Sequence, residues 1–182
     1  MLDLLIQNAS YYHDGSFHQG HIGVRDGKIE AITQELPEQA ARQAIDAKGM
    51  YVLPGIVDSH VHSRDPGRTD REDFFTLSQA AVAGGVTLFC DMPNTPPPVH
   101  SVDILQARIE NAANKSMIDF AFYAAAGYEN RFQLQQLADA GACAFKTFLQ
   151  PPLVGREAEF QGITVSDDGQ LYICLLYTSR CV

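Results

Sequence analysis

Long apolar runs, basic clusters and cysteine pairs are all missing from this 182-residue sequence. Only 13 Lys and Arg stand against 22 Asp and Glu, giving a net charge of −9 with the acids spread along the chain. No basic stripe is present to track a phosphate backbone, so a nucleic-acid partner is excluded. The four cysteines, Cys90, Cys143, Cys174 and Cys181, form no C-x-x-C pair. Buried thiols in a reducing compartment are expected, two of them on apolar strands. No apolar stretch approaches the roughly 18 residues of a membrane span. The opening MLDLLIQNAS has neither a basic flank nor the apolar core of a secretion signal, and a cytoplasmic protein without a membrane partner is expected. No G-x-G-x-x-G follows a strand, which removes the main positive sign of a dinucleotide fold.

What is present is an apolar content of 46%, that of a globular protein with a real core. Residues 2–6 have strand character. Residues 21–25 and 28–32 alternate around Asp26-Gly27, a hairpin signal, and residues 44–51 add an extended piece containing Gly49. His13, His18 and His21 share no strand or helix register and are expected in solvated turns. From Tyr51 the pattern becomes strand, loop, helix. Strands are expected over 51–57, 86–90, 117–124 and 142–149. Helices are expected over 72–83, stopped by Gly84-Gly85, from Ser101 to about 113, and over 132–140, closed by Gly141. Alternation of this kind means a parallel sheet covered on both faces, either doubly wound or part of a barrel. Candidate site residues follow several strands at one end, as a barrel requires.

The chemistry concentrates in PGIVDSHVHSRDPG, residues 54–67. Side chains two apart on a strand share a face, so His60 and His62 aim two imidazoles at one point, a geometry that suits Zn²⁺. Asp58 either takes backbone N–H groups at the strand end or orients an imidazole. Arg64 offers a planar fork for a carboxylate, or pairs with Asp65 or Asp70. Asn94 lies in CDMPNTPPP, a loop stiffened by prolines, where its amide can donate and accept or simply form a turn. Lys146 lies in ACAFKTFL on a strand expected to be buried. A bare ammonium is costly there unless an acid meets it or its pKa falls, and a neutral amine can add CO₂ to give a carbamate.

HVHSRDPG resembles the first-strand metal motif of the amidohydrolase superfamily, in the form found among the cyclic amidohydrolases: dihydroorotase, allantoinase and hydantoinase. DMPNT and FKTFL are similar to two further segments of that group, and the Arg after the second His is most like dihydroorotase. GRTDREDF also resembles allantoinase. The resemblance covers about residues 2–172. It implies an α/β fold, the first half of a (β/α)₈ TIM-type barrel at residues 52–172, preceded over 1–51 by a β segment belonging to a composite sandwich. It implies two divalent ions, Zn²⁺, held by His60, His62 and a carbamate on Lys146, with Arg64 and Asn94 binding substrate and Asp58 behind the ligands. The implied reaction is hydrolysis of a cyclic amide C–N bond, dihydroorotate in pyrimidine biosynthesis first, allantoin or hydantoin second. A small-molecule substrate and a homo-oligomeric intact enzyme follow from the same likeness.

A complete barrel takes about 250 residues. Four strands are available here, and the further histidines and proton-shuttling aspartate that the family uses are not found, so a fragment inactive by itself is expected. A helix begun at about Asp168 should continue with charged residues on its outer face, but residues 173–182, ICLLYTSRCV, carry one charge, Arg180, and are expected to be non-native. Asp167 and Asp168 mark a helix start. A non-catalytic scaffold on the same fold is the rival, opposed by His60, His62 and Lys146.

Overall fold

A computed structural model describes residues 1–38, 40–152 and 154–178. The chain divides into two compact units, Met1–Pro54 and Gly55–Val182. The first is a five-stranded sheet of β1 (Leu2–His13), β2 (Ser16–Arg25), β3 (Lys28–Thr33), β4 (Ala41–Asp46) and β5 (Tyr51–Val52). Its order is β3-β2-β1-β4, with β5 also on β1. Asp26 and Gly27 both take positive φ, 50° and 71°, the two-residue turn that matches the twist of the β2–β3 hairpin. The backbone N–H of Asp26 donates to Asp3 at 2.6 Å, tying that turn to β1.

Three expectations change here. The extended piece over 44–51 is broken at Lys48 and Gly49, whose φ values of 52° and 81° turn the chain between β4 and β5. The strand expected over 51–57 is two strands in two sheets: Tyr51 and Val52 pair with Ser10 and Tyr11, and the next strand begins at Ile56. Pro54 supplies no donor to a ladder, and a Cβ at Gly55 would lie 2.1 Å from Thr87 Oγ1, so the chain must break and pass close there. The histidines lie on strands rather than turns. His18 Nε2 shares a hydrogen bond with Ser16 Oγ at 2.9 Å, and His21 Nδ1 accepts the Asn8 N–H at 3.3 Å.

The second unit repeats strand and helix: β6 (Ile56–Val61), α1 (Phe74–Ala83), β7 (Val86–Asp91), α2 (Val102–Ala113), β8 (Asp119–Ala125), a 3₁₀ turn (Arg131–Gln133), α3 (Leu134–Asp139), β9 (Ala144–Lys146) and α4 (Asp168–Thr178). All four strands are parallel, in the order β6-β7-β8-β9. This is the half-barrel order expected. α1 starts two residues late because Asp73 caps it: Asp73 Oδ1 accepts the Thr76 N–H at 2.8 Å, and Thr76 Oγ1 accepts the Asp73 N–H at 3.1 Å. Such a box contributes about 1 kcal/mol. Ser101 occupies the cap position of α2 but makes no side-chain cap bond. Asp167, one residue before the start of α4, caps it by accepting the Gln170 N–H at 2.9 Å.

The core lies between the sheet and its helices. Phe74 of α1 packs on Phe89 of β7 and Phe122 of β8, with ring centroids 6.2 and 5.8 Å away. Leu105, Leu134 and Leu137 close it from α2 and α3. Each buried Phe or Leu contributes about 1.5–3 kcal/mol. Cys174 of α4 is buried, Cys90 half-buried and Cys143 exposed, so the expected burial fails at Cys143, which precedes its strand. Ile173 to Thr178 complete α4, with exposed Tyr172, Leu175 and Leu176 giving it an apolar outer face. Residues 179–182, including Arg180 and Cys181, lie outside the described residues. No helix among the described residues is long and apolar enough to cross a membrane.

β6 and β9 end the parallel sheet, and Ile56 and Val57 on β6 are more than half exposed, at 55% and 59%. Unpaired apolar edges template further pairing. The 182-residue chain is therefore expected to self-associate in light scattering; a monodisperse monomer at micromolar concentration would contradict this.

Candidate metal and substrate site

The parallel register brings the carboxyl ends of four strands to one level, with Val61 beside Asp91 and Ala125 beside Lys146. His60 is the last residue but one of β6, and His62 follows the strand's end at Val61. Their ring centroids are 5.4 Å apart. His62 is half-buried, and its Nδ1 is a buried nitrogen with no hydrogen-bond partner among the described residues. Burial pushes its pKa below the ordinary histidine value, and the positive charges of Arg64, His60 and Lys146 push the same way, while the Asn94 amide opposes them. The neutral imidazole that results is the form that binds a metal.

Lys146 closes β9, with its Nζ 5.8 Å from the centre of the Phe148 ring. No acid lies within ion-pair distance of it among the described residues. Among the described residues no group of three or more His, Cys, Asp or Glu is placed to hold a metal. The two imidazoles lie together, and the lysine amine is within electrostatic reach of His62. An unpartnered buried imidazole nitrogen beside a second imidazole fits a divalent ion, and a lysine within electrostatic reach fits the carbamate expected of it. Asp58 accepts the backbone N–H of His60 at 3.1 Å, ordering the strand end.

Arg64 pairs with neither of the acids beside it in sequence. Asp65 is buried and taken by Lys115 at 2.7 Å and Asn111 at 2.7 Å, and Asp70 is taken by Arg68 at 3.2 Å. Arg64 has φ of 65°, a conformation that residues other than glycine seldom adopt. It is held there because its neighbours Ser63 and Asp65 are both fully buried and bonded. Asn94 is 2% exposed. Its Nδ2 donates to Glu159 Oε2 at 3.5 Å, and its Oδ1 has no partner among the described residues.

Three groups escaped the sequence reading. Glu159, from a 3₁₀ turn after β9, bonds Arg156 Nε at 3.1 Å and Arg156 Nη2 as well, which holds its carboxyl below the usual range. Asp91 and Arg108 form a buried ion pair at 3.4 Å, with side chains 0% and 1% exposed. Asp91 also accepts the Ser63 N–H at 2.8 Å and the Ser63 hydroxyl at 2.9 Å. Arg108 donates to the carbonyls of Thr95 at 2.9 Å and Pro97 at 3.0 Å. The pair thus joins the loop bearing His62 to the loop bearing Asn94. Its signal was an Arg at a core position of α2, between Leu105 and Ala112 on the buried face. Gly67 is required at the same junction, since a Cβ there would lie 2.4 Å from the Pro96 carbonyl.

Burial pushes the Asp91 carboxyl up to about 6 against the pull of Arg108 and Ser63. An R108M chain leaves that carboxylate and two carbonyls unpaired, and should lose about 3–5 kcal/mol in urea unfolding at neutral pH. Without the pull of Arg108 the folded variant holds the Asp91 proton more tightly than the parent does, so the deficit should shrink as pH falls from neutral toward about 6 and level off below it. An R108M chain as stable as the parent, or a deficit that grows on acidification, would contradict this. In the metal-free chain the His62 imidazole should titrate below about 6.5 by NMR; a midpoint above that value would contradict the site's electrostatics.

The Amidohydrolase family model matches residues 51–162. The chain is 38% identical over 149 residues to an allantoinase from Deinococcus radiodurans, covering 81% of this chain and 33% of that protein. It is 38% identical over 149 residues to a dihydroorotase from Methanothermobacter thermautotrophicus, covering 82% and 33%. The solved structure of an L-hydantoinase (dihydropyrimidinase) from Arthrobacter aurescens superposes with a TM-score of 0.89 at 29% identity, covering 100% of this chain and 39% of that one. The chain spans about a third of the length of the curated relatives it matches. Its half-barrel, the imidazole pair at the end of the first barrel strand and these likenesses lead to one conclusion: the chain belongs to the amidohydrolase family.

Proposed function

We propose that this chain supplies the first half of the active site of a metal-dependent hydrolase that opens the C–N bond of a cyclic amide or ureide. The observation that carries the reading is the His62 Nδ1, buried and unpartnered beside His60 and within electrostatic reach of Lys146. His60 and His62 would hold a divalent ion through neutral imidazoles, and Lys146 would join them as a carbamate. Forming that carbamate joins the neutral amine nitrogen to the carbon of CO₂ and releases a proton. A bound divalent metal such as Zn²⁺ supplies an activated water near neutral pH and polarises the amide carbonyl. Asp58 fixes the backbone that carries His60, and the Asp91–Arg108 pair fixes the separation of the two loops on which His62, Arg64 and Asn94 stand. The five-stranded sheet of the first unit would form part of a composite sandwich.

Two substrate readings remain within this class. The motifs favour dihydroorotate, whose carboxylate Arg64 would grip in a dihydroorotase of pyrimidine biosynthesis. A specific observation favours an uncharged ring, as in allantoinase or hydantoinase: the Asn94 amide is already committed to Glu159.

The test is hydrolysis of dihydroorotate, allantoin and hydantoin by the protein that carries this chain, before and after chelation and with Zn²⁺ restored. At least one ring should be opened, with activity lost on chelation and recovered with metal. H62N and K146A should each lower kcat/KM at least about a hundredfold and reduce bound zinc. Stoichiometric zinc with none of the three rings opened would overturn the reaction, and full activity in K146A would overturn the role of the lysine.

A further inference from the structure

We propose that Glu159 selects the ring this site accepts, by fixing which end of the Asn94 amide faces the substrate; the inference rests on the cyclic-amide reading above. Asn94 is buried, and its two polar atoms are in different situations. Nδ2 lies 3.5 Å from Glu159 Oε2. A carboxylate can only accept, so the amide nitrogen is committed to that side and Oδ1 to the other. Oδ1 is left as a buried acceptor on the His62 side, with no hydrogen bond of good geometry among the described residues. Such an atom is costly until a donor reaches it. The ring N–H of a ureide or imide is that donor. A substrate carboxylate at the same place would set lone pair against lone pair.

Charge points the same way. Glu159 is only 9% exposed and is gripped by Arg156 through two guanidinium nitrogens, so its negative charge is fixed in place. Arg64, the side chain otherwise free to take a substrate carboxylate, lies within electrostatic reach of both Glu72 and Glu159. A ring carrying its own carboxylate would face Glu159 across Asn94, whereas an uncharged ring meets an acceptor suited to its N–H. Like charges set against each other are a common means of rejecting a wrong partner.

The test uses the zinc-loaded protein that carries this chain, with hydantoin as the uncharged probe and L-dihydroorotate as the carboxylate-bearing one. The parent should favour hydantoin in kcat/KM by about tenfold or more. In E159Q the Asn94 amide is free to turn and the charge is gone, so the preference should narrow by about tenfold. The side-chain amide resonance of Asn94, identified by its loss in N94S, should shift in E159Q. Circular dichroism checks that E159Q is folded; should it not fold, R156Q, which loosens Glu159 without removing it, should narrow the preference in the same direction. A parent that prefers dihydroorotate, or a folded E159Q with an unchanged ratio, overturns the role of Glu159 alone. A parent that opens neither ring overturns the hydrolase reading and this inference with it.

Discussion

One buried ion pair sets the spacing on which the site depends. Asp91 ends β7 and Arg108 comes from the middle of α2, and both are cut off from water. Buried pairs of this kind add little net stability, because removing two charges from water costs about as much as their attraction returns. What this one contributes is position. Asp91 takes both the backbone and side chain of Ser63, the residue after His62, and Arg108 takes the carbonyls of Thr95 and Pro97, which flank the turn after Asn94. Two loops that carry the imidazoles and the amide are thereby held to one another rather than each to its own strand. The fit is close enough that only glycine is admitted at position 67.

The electrostatics around these loops follow from which charges have partners. Asp65, Asp70, Asp91 and Glu159 each have a basic partner, at Lys115, Arg68, Arg108 and Arg156. Burial first, and then the positive charges of Arg64, His60 and Lys146, favour the neutral imidazole of His62. A carbamate would turn Lys146 from a repelling cation into an anionic donor, so the lysine that disfavours a protonated His62 in the metal-free chain would assist the same ring in holding a metal.

Much of this was legible in the order of residues. The Asp26-Gly27 hairpin, the Gly84-Gly85 stop after α1 and the four apolar strands were all visible because turn chemistry and apolar periodicity are local. His60 and His62 were visible because a strand forces alternate side chains to one face. The boundary at Pro54 and Gly55 was not, since Tyr51 to Val57 is one apolar run and only tertiary pairing shows that its first half belongs to another sheet. Glu159 was invisible because it is brought to Asn94 across 65 residues. Arg108 left a trace, a cation on the apolar face of a helix, but its partner depended on a register that no local pattern encodes. Asn94 stood out for its rigid loop, while the contact of its amide with Glu159 left no trace in the sequence.

The central claim is that two imidazoles and a modified lysine hold a divalent ion at the carboxyl ends of these strands. Carbon-13 NMR after supplying labelled bicarbonate and Zn²⁺ to the protein that carries this chain tests it most directly. The account predicts a carbamate carbon signal that appears together with bound zinc and is absent from K146A. Zinc bound stoichiometrically through His60 and His62 with no carbamate signal would contradict the role given to Lys146, and no zinc bound at all would contradict the site.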